Sequence, residues 1–309
     1  MNSISANPPL VYILIINWNG YNDTIECIDS LKKITYSNHV TVIIDNGSIN
    51  DYDRLKEYCP PETIIIRSDK NLGFSGGSNL GIGYCMEHNA DFILSINNDT
   101  VVEPDFLEKL VAISNEDNIA IVAPKILYYD YRNIVWSKGG KISKIGSTGY
   151  PRGSGRVSSK FKDNKRVIFV SGCCMLMRTK ALKDIGLFDN NYFLYMEDID
   201  LCRRTINKGY AIICVQDSVI YHKVNSSTKR ETPFWPIYYI TRNRLYFAQK
   251  YHPEILLLVK IYMYSTMHLK FIYWHYKGKN KLIKAVKQAF TDFNNKEFGE
   301  KENLGANWN

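Results

Sequence analysis

Two acidic groups, far apart in the sequence, stand where a carboxylate could do chemistry. Asp99 belongs to the run Asn97-Asn98-Asp99-Thr100 and is the sole acid of that cluster. A hard divalent ion such as Mg²⁺ or Mn²⁺ takes oxygen ligands and keeps waters or substrate phosphates in its shell, so one carboxylate plus a diphosphate suffices to hold it. The same residue also suits a turn that caps a following helix. Glu197-Asp198-Ile199-Asp200 places three acids at the start of a helix, directly after the aromatic run Phe188-Asp189-Asn190-Asn191-Tyr192-Phe193-Leu194-Tyr195-Met196. Acids there complement the helix dipole by roughly 0.3–1 kcal/mol each. Delivered from a loop that excludes water, two adjacent carboxyls are also driven apart in pKa, as a general base requires. His222, followed by Lys223 and the Ser226-Ser227 pair, suits a further metal ligand or an ordinary structural histidine.

Three polar groups follow apolar runs: Asn17-Trp18-Asn19, Asp45-Asn46-Gly47-Ser48 and Asn97-Asn98-Asp99-Thr100. One such cluster is ordinary turn chemistry, but three after neighbouring strands line one pocket, since open α/β sheets bind ligands beyond the carboxyl ends of their strands. Asn71-Leu72-Gly73-Phe74-Ser75-Gly76-Gly77-Ser78-Asn79 runs into a helix. Such a loop brings backbone N–H groups against a phosphate or ribose, and equally serves as a tight strand-to-helix turn. It is neither G-x-G-x-x-G nor a Walker loop.

These groups need a scaffold of alternating strands and helices. Residues 11–16, 40–44, 63–66, 92–96 and 119–123 read as strands, the first buried on both faces. Asp23 and Glu26 have capping-box spacing for a helix whose Ile25, Ile28 and Leu31 share a face. Residues 79–88 read as a short helix, and Pro104 is placed to be the first residue of another, with Leu107, Leu110 and Val111 inward. Repeated βα units imply a mostly parallel sheet flanked by helices. From Tyr128 the glycines at 139, 140, 146, 149, 153 and 155 predict a long, irregular, mobile insertion. Residues 167–170 and 174–177 resume strand character, Thr179 is set to cap a helix ending at Gly186, and another helix runs from Glu197 to Gly209. Residues 211–215 and 219–221 read as two short strands, and after Pro233 the chain is helical and aromatic.

The 309 residues, 45% apolar and 23% charged, describe a globular chain with a sizeable core. The net charge of +8 favours anionic partners, and much of it is local, from Arg152 to Arg166 (Lys162 included) and from Lys277 onward. The charge alone is a poor argument for nucleic acid. The seven cysteines show no metal or redox spacing and suit small buried hydrophobes. Residues 1–9 carry no positive n-region and 10–16 is too short for a signal core, so a first strand and a cytoplasmic location are expected. Residues 254–274 are long and apolar enough to span a bilayer but are interrupted by Lys260, His268 and Lys270, and a central Lys costs about 2.5–3.5 kcal/mol on insertion. An amphipathic helix that caps the domain, contacts a second copy in a homodimer or lies on a membrane surface fits better.

Taken together, the segments resemble the inverting glycosyltransferases of family 2 with the GT-A fold, and most closely their bacterial rhamnosyltransferase-like branch. Ile15-Ile16-Asn17-Trp18-Asn19, Ile44-Asp45-Asn46-Gly47-Ser48, the Asn71-to-Asn79 loop, Asn97-Asn98-Asp99-Thr100, Ser171-Gly172 with Met175-Leu176-Met177-Arg178, Gly186-Leu187-Phe188-Asp189, Glu197-Asp198-Ile199-Asp200-Leu201 with Arg204, and Tyr221-His222 occur in the family's order. The resemblance implies a Rossmann-like GT-A domain over 1–250, with a nucleotide half at about 10–125 and an acceptor half at about 126–250, and a helical extension over 251–309. It implies a nucleoside-diphosphate sugar donor, a saccharide or lipid-linked saccharide acceptor, and Mg²⁺ or Mn²⁺. In its terms Asn17, Asn19, Asp45, Asn46, Gly73, Gly76, Asn79, Asn97, Asn98 and Asp99 serve the donor, with Asp45 at the base, Asn79 along the nucleoside and Asn97 at the ribose. Asp99 and His222 hold the metal, Glu197 and Asp198 are the catalytic pair with Asp198 as base, and Gly172, Asp200 and Arg204 belong to the acceptor side. One departure stands out: many relatives carry Asp where this chain has Asn97. A nucleotidyltransferase would need a Gly-rich basic loop after the first strand, which Asn17-Trp18-Asn19-Gly20 does not provide. A non-catalytic sugar-nucleotide-binding module would have no need of the acids at 197–200.

Overall fold

The computed structural model describes residues 8–114, 116–161, 163–224 and 233–306. Lys162, the Ser226-Ser227 pair and the first seven residues, all used in the sequence reading, lie outside that set.

The apolar run after Leu10 forms β1 (Val11–Asn17), buried along nearly its whole length. Its alternation sorts side chains between two core layers: Tyr12 and Leu14 join Val42, Ile44 and Ile82, while Ile13 and Ile15 join Ile43, Leu94 and Leu107. Helix α1 (Tyr21–Leu31) leads to β2 (His39–Asn46), α2 (Asp51–Tyr58) to β3 (Ile64–Ser68), and α3 (Gly73–Glu87) to β4 (Phe92–Asn97). Strands β2 and β4 flank β1 in parallel, and β3 lies outside β2. A three-residue strand, β5 (Thr100–Val102), precedes α4 (Phe106–Ile113), and β6 (Ile119–Tyr128) follows.

The second half interleaves with the first. β7 (Val135–Ser137) pairs with β6, β8 (Gly140–Ser143) and β9 (Thr148–Pro151) form a separate hairpin, and β10 (Lys165–Val167) leads to β11 (Cys174–Arg178). After α5 (Thr179–Ile185) and α6 (Glu197–Asn207), β12 (Ala211–His222) runs parallel to β6. The ten-stranded sheet has the order β10-β12-β6-β11-β4-β1-β2-β3, with β5 on β12 and β7 on β6. β11 is inserted antiparallel between β4 and β6, so the sheet is mostly parallel but mixed.

Several local expectations are corrected. The Asp23–Glu26 capping box does not form: Gly20 is the N-cap of α1 with no side-chain cap, and Asp23 instead pairs with Lys223 at 2.7 Å. Pro104 lies ahead of α4, which begins at Phe106. Helix α3 starts inside the glycine-rich run at Gly73 rather than at Asn79. Thr179 is the first residue of α5, not its cap. The two short strands expected over 211–221 are one strand with an irregularity between Val215 and Val219. The insertion after Tyr128 is organised around β7 and the β8–β9 hairpin, with Gly140 bridged to Phe169.

The chain ends in three helices, α7 (Phe234–Tyr251), α8 (Leu256–Tyr276) and α9 (Asn280–Asn294). Leu245, Ala248, Val259, Met263 and Phe293 form one small apolar cluster among them. Helix α7 packs both on α9 and against the segment that carries Tyr192 and Phe193.

Candidate active site

The carboxyl ends of β1, β2 and β4 lie side by side, because Asn17 is in register with Asp45 and Ile16 with Asn97. The polar clusters that follow these strands therefore meet. Asn17 is fully buried and is their hub. Its Nδ2 donates to Asp45 Oδ1 at 3.1 Å, Ser48 Oγ at 3.1 Å and Asp51 Oδ2 at 3.2 Å. Its Oδ1 accepts from Thr24 Oγ1 at 2.8 Å and from the Gly20 N–H. A buried amide needs all of this pairing, since an unmet partner costs about 1–3 kcal/mol. Asn19, with φ 51°, accepts from the Ile49 N–H through its side chain and donates its own N–H to Ser48. Asn98 donates to Thr24 Oγ1 at 2.9 Å. Asp45 keeps one oxygen, Oδ2, buried without a hydrogen-bond partner; Arg67 stands 3.9 Å from it.

The glycine-rich run is held from both sides. Asn46 donates to Asn71 Oδ1 and the Gly73 carbonyl, and accepts from the Leu72 N–H. Gly73 has φ +71°, and a Cβ there would collide with the Phe193 carbonyl. A Cβ at Gly76 would press on Leu72. Asn79 spends its amide on the Phe188 and Asn190 segment, donating to the Phe188 carbonyl at 2.8 Å and accepting the Phe188 N–H at 3.0 Å. Asn46 and Asn79 therefore help to shape the loop.

Asp99 and His222 are brought together by β5, which pairs Thr100 with His222 on β12. Their Oδ1 and Nε2 atoms are 3.2 Å apart, and the Trp136 ring stands against the imidazole at 4.6 Å between centroids. Burial opposes charge on His222, while the Cys173 sulfur and the Asp99 carboxylate favour it and push it up to about 11. Burial holds the Cys173 thiol itself at about 11, so at neutral pH it lends His222 no negative charge and the upward push there is weaker. Among the described residues no group of three or more His, Cys, Asp or Glu side chains is arranged to hold a metal. His222 Nε2, the nitrogen that faces Asp99 Oδ1, would have to give up its proton before it could ligate a metal. Asp99 Oδ1 and His222 Nε2 would then fit a divalent ion that takes its remaining ligands from a diphosphate.

The acid pair enters from the other side. Gly172 donates its N–H to Asp198 Oδ2 at 2.9 Å, and Ile199 donates to Oδ1 at 2.8 Å. The next residue, Cys173, accepts from the Asn97 N–H, so residues 172–173 join the two acidic regions. Burial pushes both carboxyls above the usual carboxylate range; Asp198 also raises Glu197, whereas backbone N–H donors pull Asp198 back. Glu197 Oε2 has no partner. Of the two, Asp198 is the carboxyl whose surroundings favour the charged form, and it is also the more exposed.

Asp200 and Arg204 point into the protein. Asp200 takes Lys250 Nζ and Tyr251 Oη, both at 2.7 Å, and Arg204 donates to Asp200 and to the carbonyls of Ile185, Gly186 and Leu187. They fasten α6 to α5 and α7. The sequence reading placed Ser48 in the pocket but missed Thr24 and Asp51 around Asn17, and Arg242 and Asn243 on α7 behind the aromatic loop. The signal for the last two was a polar pair inside an otherwise aromatic helix, Tyr238-Tyr239-Ile240-Thr241-Arg242-Asn243.

Comparison with known proteins identifies the family. Residues 12–186 match the family model described as glycosyl transferase family 2. The low-salt glycan biosynthesis hexosyltransferase Agl10 of Haloferax volcanii is 26% identical over 238 residues, covering 75% of this chain and 73% of that protein. The dTDP-rhamnosyl transferase RfbF of Shigella flexneri is 23% identical over 288 residues, covering 89% and 92%. In fold, the crystal structure of GalNAc-T7 with UDP, GalNAc and Mn²⁺ aligns with a TM-score of 0.66 at 13% identity, covering 98% of this chain and 57% of that one. With more than half of the sequence matched, the chain belongs to glycosyl transferase family 2 and transfers a sugar.

Proposed function

We propose that this enzyme transfers rhamnose or another hexose, with inversion, from a nucleoside-diphosphate sugar to a saccharide or lipid-linked saccharide of a cell-surface polymer. The observation that carries this reading is Asp198, held by two backbone N–H groups beside the buried Glu197. An acceptor hydroxyl is nearly unionised at neutral pH. Its oxygen attacks the anomeric carbon, Asp198 takes the hydroxyl proton, and the nucleoside diphosphate leaves with the electron pair of the broken C–O bond. General-base assistance of this kind contributes about 10²–10⁴ in rate.

On the donor side, Asp45 Oδ2 would accept an N–H of the base, and Asn97 would meet the ribose. Asp99 and His222 would hold Mg²⁺ or Mn²⁺, which when bound supplies charge neutralisation to a departing diphosphate. The remaining strand-end residues, Asn17, Asn19, Asn46 and Asn98, act by fixing the loops. Asn79 and Gly76 act likewise on the glycine-rich segment.

Helix α8 supports a cytoplasmic enzyme seated on the inner face of the membrane. The segment Pro253–Tyr276 is long and apolar enough to cross a bilayer. Val259, Met263, Met267 and Trp274 already pack inward, however, so the helix suits lying in the interface with Leu257, Ile261 and Tyr264 outward. Exposed Lys277, Lys279 and Lys281 beside it would meet anionic headgroups, and they disfavour a second copy of the same positive face.

Incubation with dTDP-rhamnose, UDP-glucose, UDP-N-acetylglucosamine and GDP-mannose, with and without Mn²⁺, would follow release of the nucleoside diphosphate. We expect one donor to be consumed in the presence of metal, and Asp198→Asn to lower its turnover by about 100-fold or more while still binding it. Near-normal turnover in Asp198→Asn would remove the base assignment.

A further inference from the structure

The aromatic loop that delivers the acid pair has an unusual backbone. Phe193, Tyr195 and Met196 have φ of 60°, 67° and 77°, in the left-handed region that non-glycine residues rarely adopt. Something must hold three such residues within a span of four.

Helix α7 supplies it. Asn243 is fully buried, and its Nδ2 donates to three carbonyls of this loop, Tyr192 at 2.8 Å, Leu194 at 2.9 Å and Tyr195 at 2.8 Å. Arg242, also buried, reaches the carbonyls of Asn191 at 3.3 Å and Tyr192 at 3.4 Å. Its Nε donates to Asn243 Oδ1 at 3.1 Å, which turns the amide so that its NH₂ faces the loop. Tyr238 accepts from Arg242 Nη1 and donates to Asp292 on α9, so the arrangement is anchored in the C-terminal helices.

The held loop touches both halves of the reaction. Met196 leads directly into Glu197 and Asp198. On the opposite side the Phe193 carbonyl accepts the Ser75 N–H at the start of α3, against the glycine-rich loop. Moving the loop would thus shift the base relative to the donor.

We infer that Asn243, oriented by Arg242, is a positioning residue that sets Asp198 against the donor by clamping the carbonyls of Tyr192, Leu194 and Tyr195, which bracket the left-handed residues of the loop. This rests on the assignment of Asp198 as base. An error of about 1 Å in such placement costs on the order of 100-fold in rate.

The test uses the full chain and Asn243→Ala, with Arg242→Lys as a milder second variant that keeps the charge but loses the planar fork. Without any ligand, hydrogen exchange of the amides at 194–199 should accelerate about tenfold in Asn243→Ala, while β1 and β2 stay protected. With the donor that wild-type enzyme consumes, kcat should fall about 100-fold with donor KM within about threefold, and Arg242→Lys should fall between. Unchanged exchange at 194–199, or a kcat loss no larger than the fraction of protein unfolded, would overturn the inference. Asp198→Asn, run on the same donor, separates the two ideas. If that variant stays active the base assignment fails, whereas the exchange measurement still decides whether Asn243 clamps the loop.

Discussion

Glu197 and Asp198 are adjacent in sequence and differ in what surrounds each carboxyl. Asp198 receives two backbone N–H groups; Glu197 is buried with an oxygen that has no partner. Both are raised, so the folded protein binds protons at these sites more tightly than the unfolded chain does. The stability they contribute is complete below the ordinary carboxylate range and is lost as pH rises through the folded values. Glu197→Gln removes the larger part of that loss. Its melting temperature should exceed wild type at pH 8 and converge with it near pH 4.5, a difference that scanning calorimetry reads directly. Turnover has the opposite sense, because a base must be deprotonated. The kcat of wild type should decline on the acid side with a midpoint above about 3.9, the value of an unperturbed aspartate, in a pH–rate profile. The motif spelled out which acids to examine. Only the partners of each carboxyl distinguish the second, which is why it is the one proposed as base.

Helix α3 shows how packing and chemistry divide within one element. Gly81 faces the sheet, where an added Cβ would collide with Leu14 and approach Ile44. Gly73 turns the chain at φ +71° against the Phe193 carbonyl. Gly81→Ala meets flexible side chains in a full core, so overpacking of about 1–3 kcal/mol outweighs the gain of about 1 kcal/mol in helix propensity. A lower melting temperature with kcat preserved is expected. Gly73→Ala presses on backbone at the aromatic loop, and its loss of kcat should exceed its loss of stability. Comparing the two variants by thermal melt and donor turnover checks both. The apolar runs of β1, β2 and β4 were legible because burial on both faces leaves no ambiguity of period. The start of α3 was not, since Gly73, Gly76 and Gly77 weaken the helical signal. Helix α2 escaped notice because only Asp51 and Leu55 of its eight residues are buried. Strand β5, three residues long, owes its existence to β12, and it is what places Asp99 beside His222.

Beyond individual elements, the sequence does not display pairings between distant segments. Antiparallel β11 between β4 and β6 is such a pairing, and so is the grip of α7 on the aromatic loop. The C-terminal helices thus have two faces with separate duties. One holds the acid loop through Arg242 and Asn243, and the other leaves Leu257 at 70%, Ile261 at 54% and Tyr264 at 59% exposure along one side of α8. Those three residues share a face at helical spacing. Burying an apolar side chain of this size in an interface is worth up to about 1.5–3 kcal/mol, and each nearby lysine adds about 1 kcal/mol on an anionic surface. The apolar contribution is therefore the larger, and salt should release the protein only in part. Wild-type enzyme should float with phosphatidylglycerol-rich vesicles. The combined variant Leu257→Ser, Ile261→Ser and Tyr264→Ser should stay in the dense fraction while consuming donor at the wild-type rate, because none of the three touches the acid loop. A wild-type protein that fails to float, or a variant that floats equally well, would show that this face serves something other than a lipid surface.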